Sequence, residues 1–286
     1  MQSQVTTSKP ERRQQRDLLP QGNGLARLPR ALRDIAEGWG QYQLWLTMAM
    51  QDIRKRYRRS KIGPFWLTLS MGIMVGALGL LYGTLFKLDV SEFLPYVAAG
   101  FVIWGLLSGL VQDGAVTFIT AEGLVKQLPV PLSTHVYRDV CRNLLIFFHN
   151  IWVYVAISLW FGSFPGLVGL LALLGIAAIA VNALWIGLLL GLLSARFRDI
   201  PQIVASVVQV TFFITPIIWK ADMLPERAVV LVWNPFYHFL EVARAPLLGD
   251  VPTPLNWLAV MLMTASGWLV TLVIFARYRW RIAYWV

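Results

Sequence analysis

Three histidines, one cysteine and a few scattered carboxylates are the residues that could do acid–base or covalent chemistry in this sequence. His135, His149 and His238 are too far apart to share a metal, and Cys141 has no second thiol for an internal disulfide. His238 and Glu241 stand three residues apart, but a lone pair at that spacing is more often packing than a reactive site. The phosphate-binding loop GxxxxGK[ST] does not occur, and neither does HExxH or GxSxG. Glu122, Asp139 and Asp199 are dispersed and do not supply the clustered acids of a transferase. The one concentrated chemistry is cationic. In DIRKRYRRSK, Arg54, Lys55, Arg56, Arg58, Arg59 and Lys61 place six basic residues within eight positions. Such a run pairs with phosphate, and it stands directly before the apolar stretch FWLTLSMGIMVGALGLLYGTLF.

That juxtaposition is explained by the elements around it. Of 286 residues, 57% are hydrophobic and 14% charged, the composition of an integral membrane protein. A net charge of +10 could suggest nucleic acid, but the charge lies between apolar runs, so the reading is anionic lipid and no nucleic acid. Six runs are long enough to cross a bilayer core of roughly 30 Å: 65–86, 93–112, 140–161, 166–193, 201–219 and 255–276. With both termini cytoplasmic, 21 Lys and Arg fall on the inner side, counting Arg142 at the lip of the third run, and 4 on the outer side. Arg54–Lys61 then reads as a cytoplasmic anchor for the first span.

The expected organisation has three parts. Residues 1–28 are polar, Gln- and Arg-rich and without periodicity, a disordered cytoplasmic tail. Residues 29–61 form an amphipathic interface helix with its basic anchor, and 62–286 form an all-α six-span domain. In the interface helix Leu32, Ile35, Trp39, Tyr42, Leu46, Ala49, Ile53 and Tyr57 recur every three or four residues. Trp39 and Trp45 suit a helix lying in the inner interface, and Gly38 and Gly40 can divide it in two.

Two further segments do not span. Around 120–128, Thr120 can cap a two-turn helix, Glu122 suits its positive end, and Pro129 and Pro131 stop it. Leu124, Val125 and Leu128 give it an apolar edge beside Lys126, and a helix this short needs something to dock on. On the outer side, 220–254 holds AVVLVW and FYHFL between prolines, two short helices that dip into the outer leaflet and return. No acid lies at mid-membrane, as an ion-coupled transporter would need, so the chain has no energy source of its own. Gly72, Gly76, Gly79 and Gly83 form a small-residue face on the first span, for a subunit interface, a roomy pathway or plain internal packing. Among 37 aromatic residues most belong to the interfacial belt, while Tyr82, Phe212 and Phe213 lie deep enough to stack on sugar rings in a channel.

The order of an amphipathic helix, RYRRSKIGPFW, six spans, the loop GLVKQLPVPLSTHVYRDVCRNLLIFFHN and a late outer WNPFYHFLEVAR resembles the membrane subunit of the ABC-2 exporters for bacterial surface polysaccharides: O-antigen, capsule and teichoic acid permeases. The resemblance covers roughly residues 31–286. It implies a homodimer with two copies of a separate ATPase subunit, which binds the ATP and Mg, and no cofactor, metal or catalytic residue in this chain. Glu122, Leu124, Val125, Lys126 and Leu128 become the coupling helix, and 31–57 the interface helix beside a lateral gate. Asn234, Pro235, Glu241 and Arg244 fall in an outer gate. The cargo implied is a lipid-linked glycan crossing the bacterial inner membrane. The alternatives are an ABC-2 exporter of a drug or small lipid, and a membrane glycosyl- or acyltransferase acting on a lipid carrier.

Overall fold

The computed structural model describes residues 24–58, 63, 65–221 and 228–286, and the side chains of 24–26, 56, 57, 228 and 229 are not among those described. Expectations on residues 1–23, Arg59, Lys61, Pro225, Arg227 and the Arg56 side chain therefore fall outside the described residues. Among the described residues all regular structure is helical. The chain runs α1 (Gly24–Gly40), α2 (Tyr42–Tyr57), α3 (Phe65–Leu85), α4 (Val90–Thr120), α5 (Glu122–Gln127) and α6 (Ser133–Trp160). A 3-10 turn at Gly166–Leu170 leads into α7 (Leu171–Arg196), followed by α8 (Ile200–Ile214), α9 (Ala228–Val232), α10 (Pro235–Leu247) and α11 (Pro254–Tyr278). After a second 3-10 turn at Arg279–Arg281 comes α12 (Ile282–Trp285).

Among the described residues five helical segments are long and apolar enough to cross a membrane: Phe65–Leu85, Val90–Thr120, Ser133–Trp160, Gly166–Arg196 and Pro254–Trp285. The run expected to give a further span over 201–219 is different. Its helix, α8, stops at Ile214 after 15 residues, about 22 Å and short of the bilayer core. The cause is local. Thr215 precedes Pro216 and takes an extended ψ of 134°, as the proline ring demands of the residue before it. A run of bends then carries the chain to Trp219.

Other boundaries moved for equally specific reasons. α1 reaches back to Gly24, five residues into the expected tail. α1 and α2 are separate helices divided at Gln41, just after Gly40, as the two glycines suggested. The stripe α1 and α2 bury is narrower than the apolar pattern implied. Ala31, Asp34, Ala49 and Ile53 are buried, whereas Leu32, Trp39, Tyr42 and Leu46 remain exposed. α4 runs eight residues past the apolar stretch because its polar end is buried and paired rather than solvated.

α4 is the central helix. It packs against α3, α6, α7, α8 and α10, and sixteen of its residues are buried. Close approach is set by small residues. A Cβ on Gly114 of α4 would lie 3.0 Å from the Gly187 Cα of α7, and one on Gly191 would lie 3.0 Å from the Phe118 ring. Gly72, Gly79 and Gly83 of α3 face Val153, Leu94 and Val90, while Gly76 faces open space. Internal packing therefore accounts for three of the four glycines in that face.

Replacing Gly114 with Val forces apart a helix pair in backbone contact and is expected to cost about 1–3 kcal/mol. Gly40→Ala, with open space around the site, is expected to stay within about 0.5 kcal/mol. Thermal unfolding of the two variants in detergent, followed by size exclusion, checks the difference.

Candidate functional site

Two polar constellations stand at opposite ends of the bundle. The basal end carries α1, α2, α5 and the last turn of α11, and the distal end carries α10 and the bends after α8.

At the basal end α1 is fastened to the start of α6. The Asp34 carboxylate accepts the backbone N–H groups of Leu132 (3.3 Å) and Ser133 (3.0 Å), so an acid from α1 caps a helix some hundred residues away. Ser133 Oγ donates to the Asp34 carbonyl at 2.7 Å, and Tyr137 Oη donates to the Ile35 carbonyl at 3.2 Å. Arg279 adds an ion pair to Asp34 at 3.5 Å. Gly38 permits this approach, since a side chain there would collide with Ser133. Trp39, Trp45 and Tyr137 form a three-ring cluster over the α1–α2 junction, with centroids 5.6–6.1 Å apart.

Below that junction lies a cluster of five charged side chains. Arg142 on α6 pairs with Asp52 of α2 (3.1 Å), Asp113 of α4 (2.9 Å) and Asp139 of its own helix (3.2 Å). Arg138 pairs with Asp139 at 3.0 Å and with Asp52 at 3.5 Å. Thr117 Oγ1 donates to Asp139 at 2.7 Å, and Asn143 Nδ2 donates to Asp113 at 2.7 Å. Nothing in the sequence signalled this cluster, because its members are drawn from positions 52, 113 and 138–143 and share no short spacing. Arg142 and Asp113 were visible only as charges at span ends. Among the described residues no group of three or more His, Cys, Asp or Glu is placed to hold a metal ion.

α5 hangs between α4 and α6. Thr120 does not cap it. That hydroxyl donates to the Val116 carbonyl at 3.1 Å, because α4 continues unbroken to Thr120, and Ala121 takes the cap position. Leu128 is extended before Pro129, which ends the helix as expected. Leu124 and Leu128 are exposed and Val125 is half-buried against the core. Glu122 and Lys126 form an exposed pair at 2.7 Å. The bond from Lys126 and its positive charge hold the Glu122 carboxyl below its ordinary range. The pair is intact above the carboxyl's unfolded-state pKa and is lost as pH falls through the lowered value. A cavity of about 580 Å³ opens beside α5, lined by Asp34, Glu37, Pro129, Arg279 and Trp280. Arg54 and Arg58 are exposed on the last turn of α2.

The distal end is held by Arg244, which is buried. It pairs with Glu241, donates to the Pro216 carbonyl, and lies 4.3 Å over the Tyr96 ring. Tyr96 Oη donates to the carbonyls of Pro216 and Trp219, each at 3.0 Å. Asn234 caps α10 through the N–H groups of Phe236 and Tyr237, with Pro235 in the first turn, and its amide donates to Thr215 Oγ1 at 2.9 Å. Arg244, held by Glu241, and Asn234 thus reach the Pro216 carbonyl and the Thr215 hydroxyl beside the break after α8. The aromatic candidates separate. Tyr82 stacks on Phe86, Phe212 sits in a ring chain with Phe101 and Trp104, and Phe213 faces outward.

Truncating Arg244 to Met leaves the partly buried Glu241 without its partner and is expected to destabilise the fold by about 3 kcal/mol. The Arg244→Met/Glu241→Gln double variant is expected to recover much of that loss, measured by thermal unfolding in detergent.

Comparisons with known proteins agree with this arrangement. The family model of the ABC-2 type transporters matches residues 43–248. The chain is 22% identical over 250 residues to an O-antigen export system permease protein RfbA of Klebsiella pneumoniae, covering 85% of this chain and 94% of that protein. It is 22% identical over 217 residues to RfbA of Myxococcus xanthus, covering 75% and 84%. It is also 22% identical over 247 residues to the polysialic acid transport protein KpsM of Escherichia coli, covering 82% and 92%. The matched family segment runs from α2 to the end of α10 and takes in the charge cluster, α5 and the distal pin, so the chain belongs to the ABC-2 type transporter family.

Proposed function

We propose that this chain is the non-catalytic permease subunit of an ATP-driven exporter of a surface polysaccharide, working in the bacterial inner membrane. The observation that carries the reading is the correspondence, over more than four fifths of the chain, to relatives named for O-antigen export and polysialic acid transport. The cargo class is taken from those names, and a lipid-linked glycan fits the family resemblance of the outer WNPF element.

Geometry supports the division of labour. α5 is a six-residue helix with no buried residue. Its exposed Leu124 and Leu128 give a soluble ATPase an apolar edge, flanked by the Glu122–Lys126 pair. ATP and Mg belong to that partner. The bias of 21 basic residues to one side favours the basal end as cytoplasmic, with Arg54, Arg56, Arg58 and Arg59 at anionic head groups. Trp39, Tyr42 and Leu46, exposed on α1 and α2, suit the apolar side of that interface. The sixth crossing is then made jointly by α8 and the bends to Trp219, with α9 and α10 covering the return. A homodimer is supported by two outward apolar faces, Leu69, Ile73 and Leu80 on α3 and Ile203, Val207 and Val210 on α8.

Affinity purification from native membranes in mild detergent tests the assembly. A stoichiometric soluble chain carrying GxxxxGK[ST] is expected in the eluate, and a lone permease would overturn the reading. In the Leu124→Asp/Leu128→Asp variant, both changes lie on exposed positions, so insertion into the membrane is expected to persist. Recovery of the ATPase is expected to fall about tenfold, a loss near 1.4 kcal/mol. Undiminished recovery would remove α5 from the contact.

A further inference from the structure

We propose that Asp52, Arg138 and Arg142 form a releasable latch between α2 and the two helices that bracket α5, and that α5 acts on α2 through it. This rests on the transport reading above. It assigns Asp52 a positioning role that the resemblance does not supply.

The first ground is placement. α5 is bracketed in sequence by Thr117, five residues before it, and by Arg138–Arg142, shortly after α6 begins. The cluster therefore joins both arms of the α5 hairpin. Among the described residues Asp52 is its only member from α2, and it reaches Arg142 at 3.1 Å and Arg138 at 3.5 Å.

The second ground is charge balance. The cluster holds three carboxylates and two guanidinium groups. If Asp52 withdraws, Arg142 keeps Asp113 and Asp139, and Arg138 keeps Asp139. Two acids then face two bases, and no charge is left unpaired. Withdrawal of either arginine would instead strand carboxylates, the costly event in a low-dielectric interior. Release of the Asp52 tie therefore leaves the remainder of the cluster neutral.

The third ground is graded access to water. The Asp139 and Arg138 side chains are 5% and 8% exposed, whereas Asp52 and Asp113 are 29% and 34% exposed. A carboxylate that reaches water can exchange an ion pair for hydration cheaply, and one sealed inside cannot. The cluster thus has a fixed inner half and a releasable outer one. α1 shows the contrast. Its Asp34 is 4% exposed and caps α6, so α1 stays fixed while α2 can turn about the break at Gln41.

The test uses the permease with its co-purified ATPase in liposomes, measuring ATP hydrolysis and glycan export separately. For Asp52→Asn the complex is expected to assemble and hydrolyse ATP within about twofold of wild type. Export per ATP is expected to fall about tenfold, the size of a typical coupling term. Asp52→Glu is expected to restore export. Unchanged export per ATP in Asp52→Asn overturns the latch, as does a parallel loss of assembly, hydrolysis and export, the signature of a merely structural role. A second measurement needs no ATPase. Spin labels at exposed Met50 on α2 and Trp160 on α6, in a Cys141→Ser background, report their separation in nanodiscs. Asp52→Asn is expected to add a longer-distance population, and an unaltered distribution overturns the proposal. An absent ATPase in the wild-type eluate counts against the transport reading, while the distance measurement still decides the latch.

Discussion

A guanidinium group packed within a helix bundle must find acids and carbonyls there to offset the hydration it gives up. Arg142 and Arg244 meet this requirement at opposite ends of the molecule, and much of the architecture follows from how they do so. Arg142 gathers carboxylates from α2, α4 and α6. That fixes the azimuth of α4 and lets its polar end remain helical to Thr120. Arg244 gathers Glu241, the Pro216 carbonyl and the Tyr96 face. That satisfies backbone groups released where α8 breaks, which would otherwise be costly in lipid. Beside the Arg142 cluster, the Gly114–Gly187 contact brings α4 and α7 close enough for dispersion to hold them together.

Much of the helical framework was readable from residue order, because a bilayer imposes length and hydropathy directly. Phe65 opens α3 at the predicted position, and Pro254 opens α11 one residue early. The two short outer helices and the α1–α2 break near Gly40 were also anticipated. Where the structure departs from residue order or adds to it, backbone geometry or a side chain's partner decides the outcome. Hydropathy over 201–219 looks uniform, yet a single X-Pro step at Thr215–Pro216 ends the helix. The apolar period in α1 and α2 named Trp39, Tyr42 and Leu46 as a face for the membrane interface, and these residues are exposed in the structure. The stripe actually buried includes Asp34 and Gly38, chosen for a cap and a close approach rather than for hydrophobicity.

The candidate site was legible only in outline. Leu124, Val125 and Leu128 were found through the paired prolines that bound their helix, and Asn234 and Arg244 through the WNPF…E..R element. The structure gives the latter pair a shared task, tying the bends at 215–219 to α10. The charge cluster escaped notice because pairing between distant helices leaves no periodic trace. Asp52 sits among the basic residues of the anchor and reads there as one more solvated charge. Its partner Arg142 is ninety residues away.

α4 and α5 are separated by Ala121 alone. α4 itself is a single helix of 31 residues, about 46 Å of stiff rod. Its lower end carries the exposed helix, and about two turns from its upper end Tyr96 lies beneath Arg244. A tilt of about 5° at the base displaces the top by about 4 Å, comparable to the length of a hydrogen bond. The molecule therefore has leverage built into its central strut: a small tilt at one end becomes a displacement of ångström size at the other.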